Sequence, residues 1–241
     1  MLSIFHFFLN LIEFNYKKKL NLILKKNLPK ELNIFFDVGA HKGETSIEMY
    51  KNFSIKKSYL FEPVIENFKI LENKLTHIKS KNDLELHNFA LGEENKVTVI
   101  NEVLESSSST LNNIDENTRY YKRKKKLLNL FSNKNKINQK KVEVISSIEF
   151  IKKKNIRKID FIKIDTEGYE YKILKNLEEH LNNVGAIQFE HHYDLMILKD
   201  YNFRDINNLL IRNNFKQLYK SKMMFRKSFE YIYLNKKYKF D

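Results

Sequence analysis

The sequence predicts an α/β fold built on a mostly parallel sheet with helices on both faces. Two observations carry this expectation. From residue 33 onward, short and nearly continuous apolar runs alternate with helical segments, the pattern of strands buried on both sides. Acidic or amide residues recur directly after those runs, at the strand ends that share one edge of a parallel sheet. The 241 residues, 42% hydrophobic and 31% charged, describe a globular chain of one main domain with additions.

Residues 1–30 are expected as an N-terminal helical extension and 31–241 as the main domain. The apolar run from Leu2 to Phe14 is broken at Asn10 and Glu13, too short and too interrupted for a bilayer span of about 20 residues. No basic residue precedes it and no small-residue cleavage site follows, so it does not read as a signal peptide. A helix docked on the domain remains, or an amphipathic helix at a membrane surface beside Lys17–Lys19.

Asn33–Val38 reads as the first strand, Glu44–Lys51 as a helix behind a glycine turn, and Ser58–Phe61 as the second strand. Val64–Lys79 is a helix preceded by Pro63, and Leu84–His87 the third strand. Beyond Gly92 the regularity lapses: Val97–Ile100 is an extra strand, Ser106–Ser109 a turn, and residues 119–141 a lysine-rich insertion, helical in part. The alternation resumes with strand Val142–Ile145, helix Ser147–Lys154, strand Ile159–Ile164, helix Tyr169–Leu177 and strand Ala186–Phe189. A helix over Phe203–Asn213 and an apolar hairpin, with Phe229–Leu234 its last strand, complete the chain.

The net charge of +14 is local. Residues 119–141 hold ten basic and no acidic side chains, residues 212–241 nine against two, and the rest is near balance. That distribution is unlike a uniformly basic nucleic-acid binder. The absence of cysteine excludes disulfides, thiolate metal sites and a cysteine nucleophile. Only five glycines occur, where average usage gives roughly 17, so each marks a backbone need.

The first strand runs into Asp37-Val-Gly-Ala-His-Lys-Gly43 and a helix. Its spacing matches neither the glycine fingerprint of a dinucleotide site nor a phosphate-binding loop. A carboxylate at a strand tip beside Gly39, Ala40 and Gly43 suits a ligand with a cationic amine and no phosphate, such as S-adenosylmethionine. Glu62, 25 positions after Asp37, can accept both ribose hydroxyls. Asn88, Phe89 and Ala90 at the third strand tip can edge and stack an adenine. Asp165, Glu167 and Glu170 cluster around Gly168, and Glu190, His191 and His192 end the next strand.

Through Phe36-Asp-Val-Gly-Ala-His-Lys-Gly43, Phe61-Glu-Pro63, Phe89-Ala-Leu-Gly92 and above all Ile162-Lys-Ile-Asp-Thr-Glu-Gly-Tyr-Glu170, the chain resembles the FkbM-type S-adenosylmethionine-dependent methyltransferases. The resemblance runs from Phe36 to about Glu190. It implies a Rossmann-like class I methyltransferase fold with a seven-stranded sheet, and O-methylation of a hydroxyl, commonly on a sugar or natural product. The first 30 residues and the 119–141 insertion lie outside it.

For that reaction, an imidazole near neutral pH is the natural general base, with His191 placed first, His192 second, and Glu190 or Asp165 orienting it or acting in its stead. A divalent metal on Asp165, Glu190 and a histidine is the rival mechanism and is not favoured. The insertion can serve an anionic acceptor or an anionic membrane surface. Two other functions stay open: an RNA ribose methyltransferase, and a non-catalytic protein that keeps the fold. Pro29 and Pro63 are the only prolines, so a Pro-Pro-aromatic amino-methylation motif is excluded, and nucleic acid is not the expected partner. Cytoplasmic localisation is expected, with contact at the inner face of the membrane through the N-terminal helix and assembly with a second copy both left open.

Overall fold

A strand that is apolar along its length must bury both faces. Strand β8 (Ile159–Ile164) is buried at every position and lies at the centre of a seven-stranded sheet. Its companions are β1 (Glu31–Val38), β2 (Ser54–Phe61), β3 (Asp83–His87), β9 (Val184–His192), β10 (Phe215–Lys222) and β11 (Ser228–Asn235). The spatial order is β10-β11-β9-β8-β1-β2-β3. Only β11 is antiparallel to its neighbours; every other pairing in this sheet is parallel. The structure is a computed structural model and describes residues 16–102, 109–129, 137–223 and 227–240.

Side chains alternate across the sheet. On one face Phe35, Phe161, Ala186 and Ile232 meet α1 (16–27) and α2 (Glu44–Asn52). Helix α1 supplies Leu20 and Leu24, Leu28 follows it, and α2 supplies Met49. On the same side α3 (Ile65–Lys79) lays Leu71 and Leu75 on Leu60 and Leu84. The other face, with Phe36, Ile162, Ile187 and Tyr231, is covered by α5 (Ser147–Lys153), α6 (Glu170–Asn176) and α7 (Phe203–Arg212). A capping box closes the start of α7, Asn202 accepting from Arg204 N–H while Asp205 accepts from Asn202 N–H.

The expected continuation of the main alternation at Val142–Ile145 does not hold. That segment belongs to β7 (Asn138–Ser146), which leaves the main sheet and joins β4 (Ala90–Gly92), β5 (Lys96–Glu102) and β6 (Ser109–Thr110) in a second sheet ordered β4-β7-β5-β6. The physical reason is visible in its burial: residues 141–144 alternate exposed and buried, as in a strand with one wet face. Its apolar side, with Val142, joins Ile100 and Val64 above the loop that follows β2.

Part of the insertion is helix α4 (Arg119–Asn129), anchored by the fully buried Tyr121 against Met196 and Ile197. The apolar run from Leu2 to Phe14 and the serines before Ser109 lie outside the described residues. Within α1 and just beyond it, Leu20, Leu24 and Leu28 are consumed by the core, so these three leucines are not available to lipid. Among the described residues no helix is long and apolar enough to cross a membrane.

Docking of α1 rests on those leucines, so Leu24→Ala should lower unfolding free energy by about 2–5 kcal/mol. Leu22, two residues away and 60% exposed, should cost no more than about 0.5 kcal/mol on the same change. Urea titration of the two variants checks the contrast.

Candidate active site

Parallel strands bring their carboxyl ends to one edge, and a cavity opens there over β1, β2 and β8. Gly39, Glu62, Ala90, Asp165, Glu167 and Tyr169 are among the residues that line it. Gly39 adopts φ +81°, and a Cβ built there would stand 2.0 Å from the Asp165 carbonyl oxygen. Only glycine allows the turn after β1 to pass so close to the loop after β8. Gly39 N–H and Ala40 N–H both donate to the Phe61 carbonyl, at 3.0 and 2.9 Å, and Gly43, at φ +83°, starts α2.

Glu62 is held from two sides. His41 N–H donates to its Oε2 and Val64 N–H to its Oε1, each at 2.9 Å. Burial pushes this carboxyl up to about 7 despite those amide donors. A carboxylate so oriented at the end of β2 presents acceptors to a vicinal diol.

Asp37 does not line the cavity. It is fully buried one layer below, where Ser46 Oγ donates to its Oδ2 at 2.5 Å and Lys163 Nζ lies 3.6 Å from its Oδ1. Lys163 Nζ also lies 3.2 Å from Asp165 Oδ2. Burial alone would lower the Lys163 ammonium, but Asp165 and Asp37 raise it well above the ordinary lysine value. A direct salt bridge from Asp37 to a cofactor amine is therefore replaced by this buried ion pair. Asn88 and Phe89 stand at the end of β3, Asn88 exposed and Phe89 half-buried. Asn88 Nδ2 donates to the Glu62 and Pro63 carbonyls at 2.9 and 3.2 Å, and Phe89 packs among Phe61, His87 and Phe150.

The loop after β8 separates its acids by role. Buried Glu170 accepts Thr166 N–H and Gly168 N–H at Oε1, at 3.2 and 2.9 Å, and the Tyr201 hydroxyl at Oε2, at 2.8 Å. It braces the loop. Asp165, with 36% of its side chain exposed, faces the cavity, and Glu167 reaches His192.

The structure parts the two histidines, which sit on opposite faces of β9. His191 lies among the Tyr193, Tyr201 and Phe203 rings, where burial pushes its imidazole down to about 3. It does not meet the cavity acids, which His192 does. His192 Nε2 lies 3.0 Å from Glu167 and 3.3 Å from Glu190, and its Nδ1 lies 3.4 Å from Asp194. Burial would lower it, yet Glu167, Asp194 and Glu190 raise it well above the ordinary histidine value. It is a caged cation near neutral pH rather than a free base.

Lys163, Glu167, Asp194 and Lys199 join this site without having been assigned a role from sequence. Lys199 Nζ donates to the His192 carbonyl. Lys163 carried a readable signal, a charge between Ile162 and Ile164 in an otherwise apolar strand. Among the described residues no group of three or more acids and imidazoles has the geometry to hold a metal ion.

A mostly parallel sheet with one reversed strand next to its edge, and a cleft over the carboxyl ends, is the Rossmann-like fold shared with solved methyltransferases. The sequence profile of the Methyltransferase FkbM domain matches residues 37–217, and the chain belongs to that family. Among solved structures it is similar to methyltransferase FkbM from Methylobacillus flagellatus KT, with a TM-score of 0.55 and 16% identity over 86% of this chain. The match spans 44% of that longer chain. TrmK of M. capricolum, solved with S-adenosylhomocysteine, aligns over 91% of this chain and 69% of its own, at TM-score 0.49 and 13% identity. A search of curated proteins finds no match.

The raised His192 makes a signed prediction. Its cage contributes stability that is fully present below the ordinary histidine value near 6.5 and is lost as pH rises through the higher folded value. Thermal melts across that range should show this loss in the wild type, and His192→Gln should flatten it.

Proposed function

We propose that the chain is an S-adenosylmethionine-dependent O-methyltransferase acting on a hydroxyl of a sugar or glycan. The observation that carries this reading is Glu62, fixed by two backbone amides in the cavity that Gly39 and Asp165 also border. When bound, the cofactor supplies a methyl group on a sulfonium, open to in-line displacement. The chain's own part is positioning and proton removal.

Glu62 accepts the ribose hydroxyls, and the Gly39-Ala40 turn lets the backbone approach without a side chain in the way. Asp165, at the cavity edge, takes the proton of the acceptor hydroxyl. Lys163, 3.2 Å away, fixes the carboxylate that does so. Glu167, held by the His192 imidazolium, offers a second acceptor to a hydroxyl-rich ligand. Glu190 and Asp194 complete the His192 cage behind it. A wall of carboxylates suits a polyol better than an apolar acceptor, and with the family membership it supports a sugar as the substrate class.

Calorimetric titration with S-adenosylhomocysteine tests the cofactor step before any acceptor is known. Micromolar binding is expected, weakened at least about ten-fold by Glu62→Ala. Affinity should also fall as pH drops through about 7, where Glu62 takes up a proton, and this dependence should vanish in Glu62→Gln. Absence of binding by folded wild-type protein would sink the reading. With an acceptor found by glycan screening, Asp165→Asn should reduce kcat by about 100-fold or more while S-adenosylhomocysteine still binds.

A further inference from the structure

Beside the cavity lies a surface that the transfer reaction does not use. Six of the eight residues from Arg119 to Lys126 are basic and none is acidic. Helix α4 does not drift free of the domain. Tyr121 is buried on Met196 and Ile197, Ile114 bridges Ile197 as an antiparallel pair, and Asp115 N–H and Leu198 N–H make backbone hydrogen bonds to the Met196 and Asn113 carbonyls. The basic helix is thereby docked on the loop between β9 and α7, which begins directly after His192.

That loop turns two kinds of side chain outward. Met196 and Ile197 are buried beneath α4, whereas Leu195 is 78% exposed, Leu198 51% and Tyr193 43%. Exposed leucines beside a cluster of exposed Lys122, Arg123 and Lys126 combine the two contributions that hold a protein at a lipid interface: apolar side chains entering the acyl boundary and cations facing anionic headgroups. A soluble anionic glycan would engage the cations but leave the leucines without a partner, and single-stranded RNA, even with a base stacked on Tyr193, would leave the same two leucines unused.

We infer that α4 and the 193–198 loop form one face that docks on an anionic phospholipid surface, with the cavity opening next to it. The attachment goes beyond the proposed transfer reaction and does not depend on it. It places the acceptor side of the site, where Asp194 and Leu195 are consecutive, at the level of the headgroups.

Co-sedimentation of the full chain with vesicles tests it. Vesicles of phosphatidylcholine with roughly one-third phosphatidylglycerol should retain the protein, and pure phosphatidylcholine should not. Lys122→Glu/Arg123→Glu/Lys126→Glu should weaken binding at least about ten-fold and reduce its salt dependence. Leu195→Ser/Leu198→Ser should weaken it several-fold with the salt dependence kept. Unchanged S-adenosylhomocysteine affinity and melting temperature would show that both variants remain folded. Failure to sediment with the anionic vesicles at low salt would overturn the inference. So would indifference to the leucine pair together with equally tight binding to heparin or RNA, which would reassign the face to a soluble polyanion.

Discussion

The site depends on one buried cation. Lys163 stands one residue from the carboxyl end of the central strand, level with Asp37 on one side and Gln188 on the other, and its ammonium serves the carboxylates of Asp37 and Asp165 together. Removing either kind of partner would strand a charge in the sheet interior, where isolated ions cost several kcal/mol. The pairing aims Asp165 while leaving its outer side to the cavity. The same row continues outward: Gln188 donates to Glu230, which also accepts the Tyr16 hydroxyl at 2.5 Å from the first turn of α1. A polar seam thus crosses the sheet on the face that α1 covers, just below the cavity floor.

Around that seam the loops are fixed by contact rather than by length. The turn at Gly39 touches the backbone of Asp165, Glu170 ties the next loop to itself, and Asn112 Nδ2 donates to the Gly168 carbonyl at 2.6 Å from the strap that leads into α4. Each neighbour limits where the others can go. The second sheet contributes through Ile100 and Ala90, which help close the cavity from above. Preorganisation of this kind is what a positioning enzyme requires.

Much of this was legible in the residues. Strand ends could be placed because a parallel sheet forces unbroken apolar runs and ends them in polar turns, which located Glu62, Asp165 and Glu190 on one edge. The partner of a strand is a different matter. Val142–Ile145 has the right residues for either sheet, and its pairing with Lys96–Glu102 is a long-range choice that local pattern does not encode. The two histidines were separable in principle: neighbours on a strand point to opposite faces, so His192, two positions from Glu190, shares its side and His191 does not. Asp194 and Lys199 were out of reach, since only the tertiary course of an irregular loop returns them to His192. Asp37 and Phe89 show the converse: residues correctly placed at strand ends whose side chains turn inward to the ion pair and the aromatic cluster.

The reversed strand carries a consequence for how the molecule is made. Because β11 inserts between β9 and β10, one edge of β9 has no strand partner until Ser228–Asn235 has been made. Glu230, which anchors both Gln188 and Tyr16, arrives with that same strand. Between the making of β9 and that of β11 the chain therefore carries an open strand edge, a natural foothold for a chaperone, and it acquires the completed polar seam only as the β10–β11 hairpin closes.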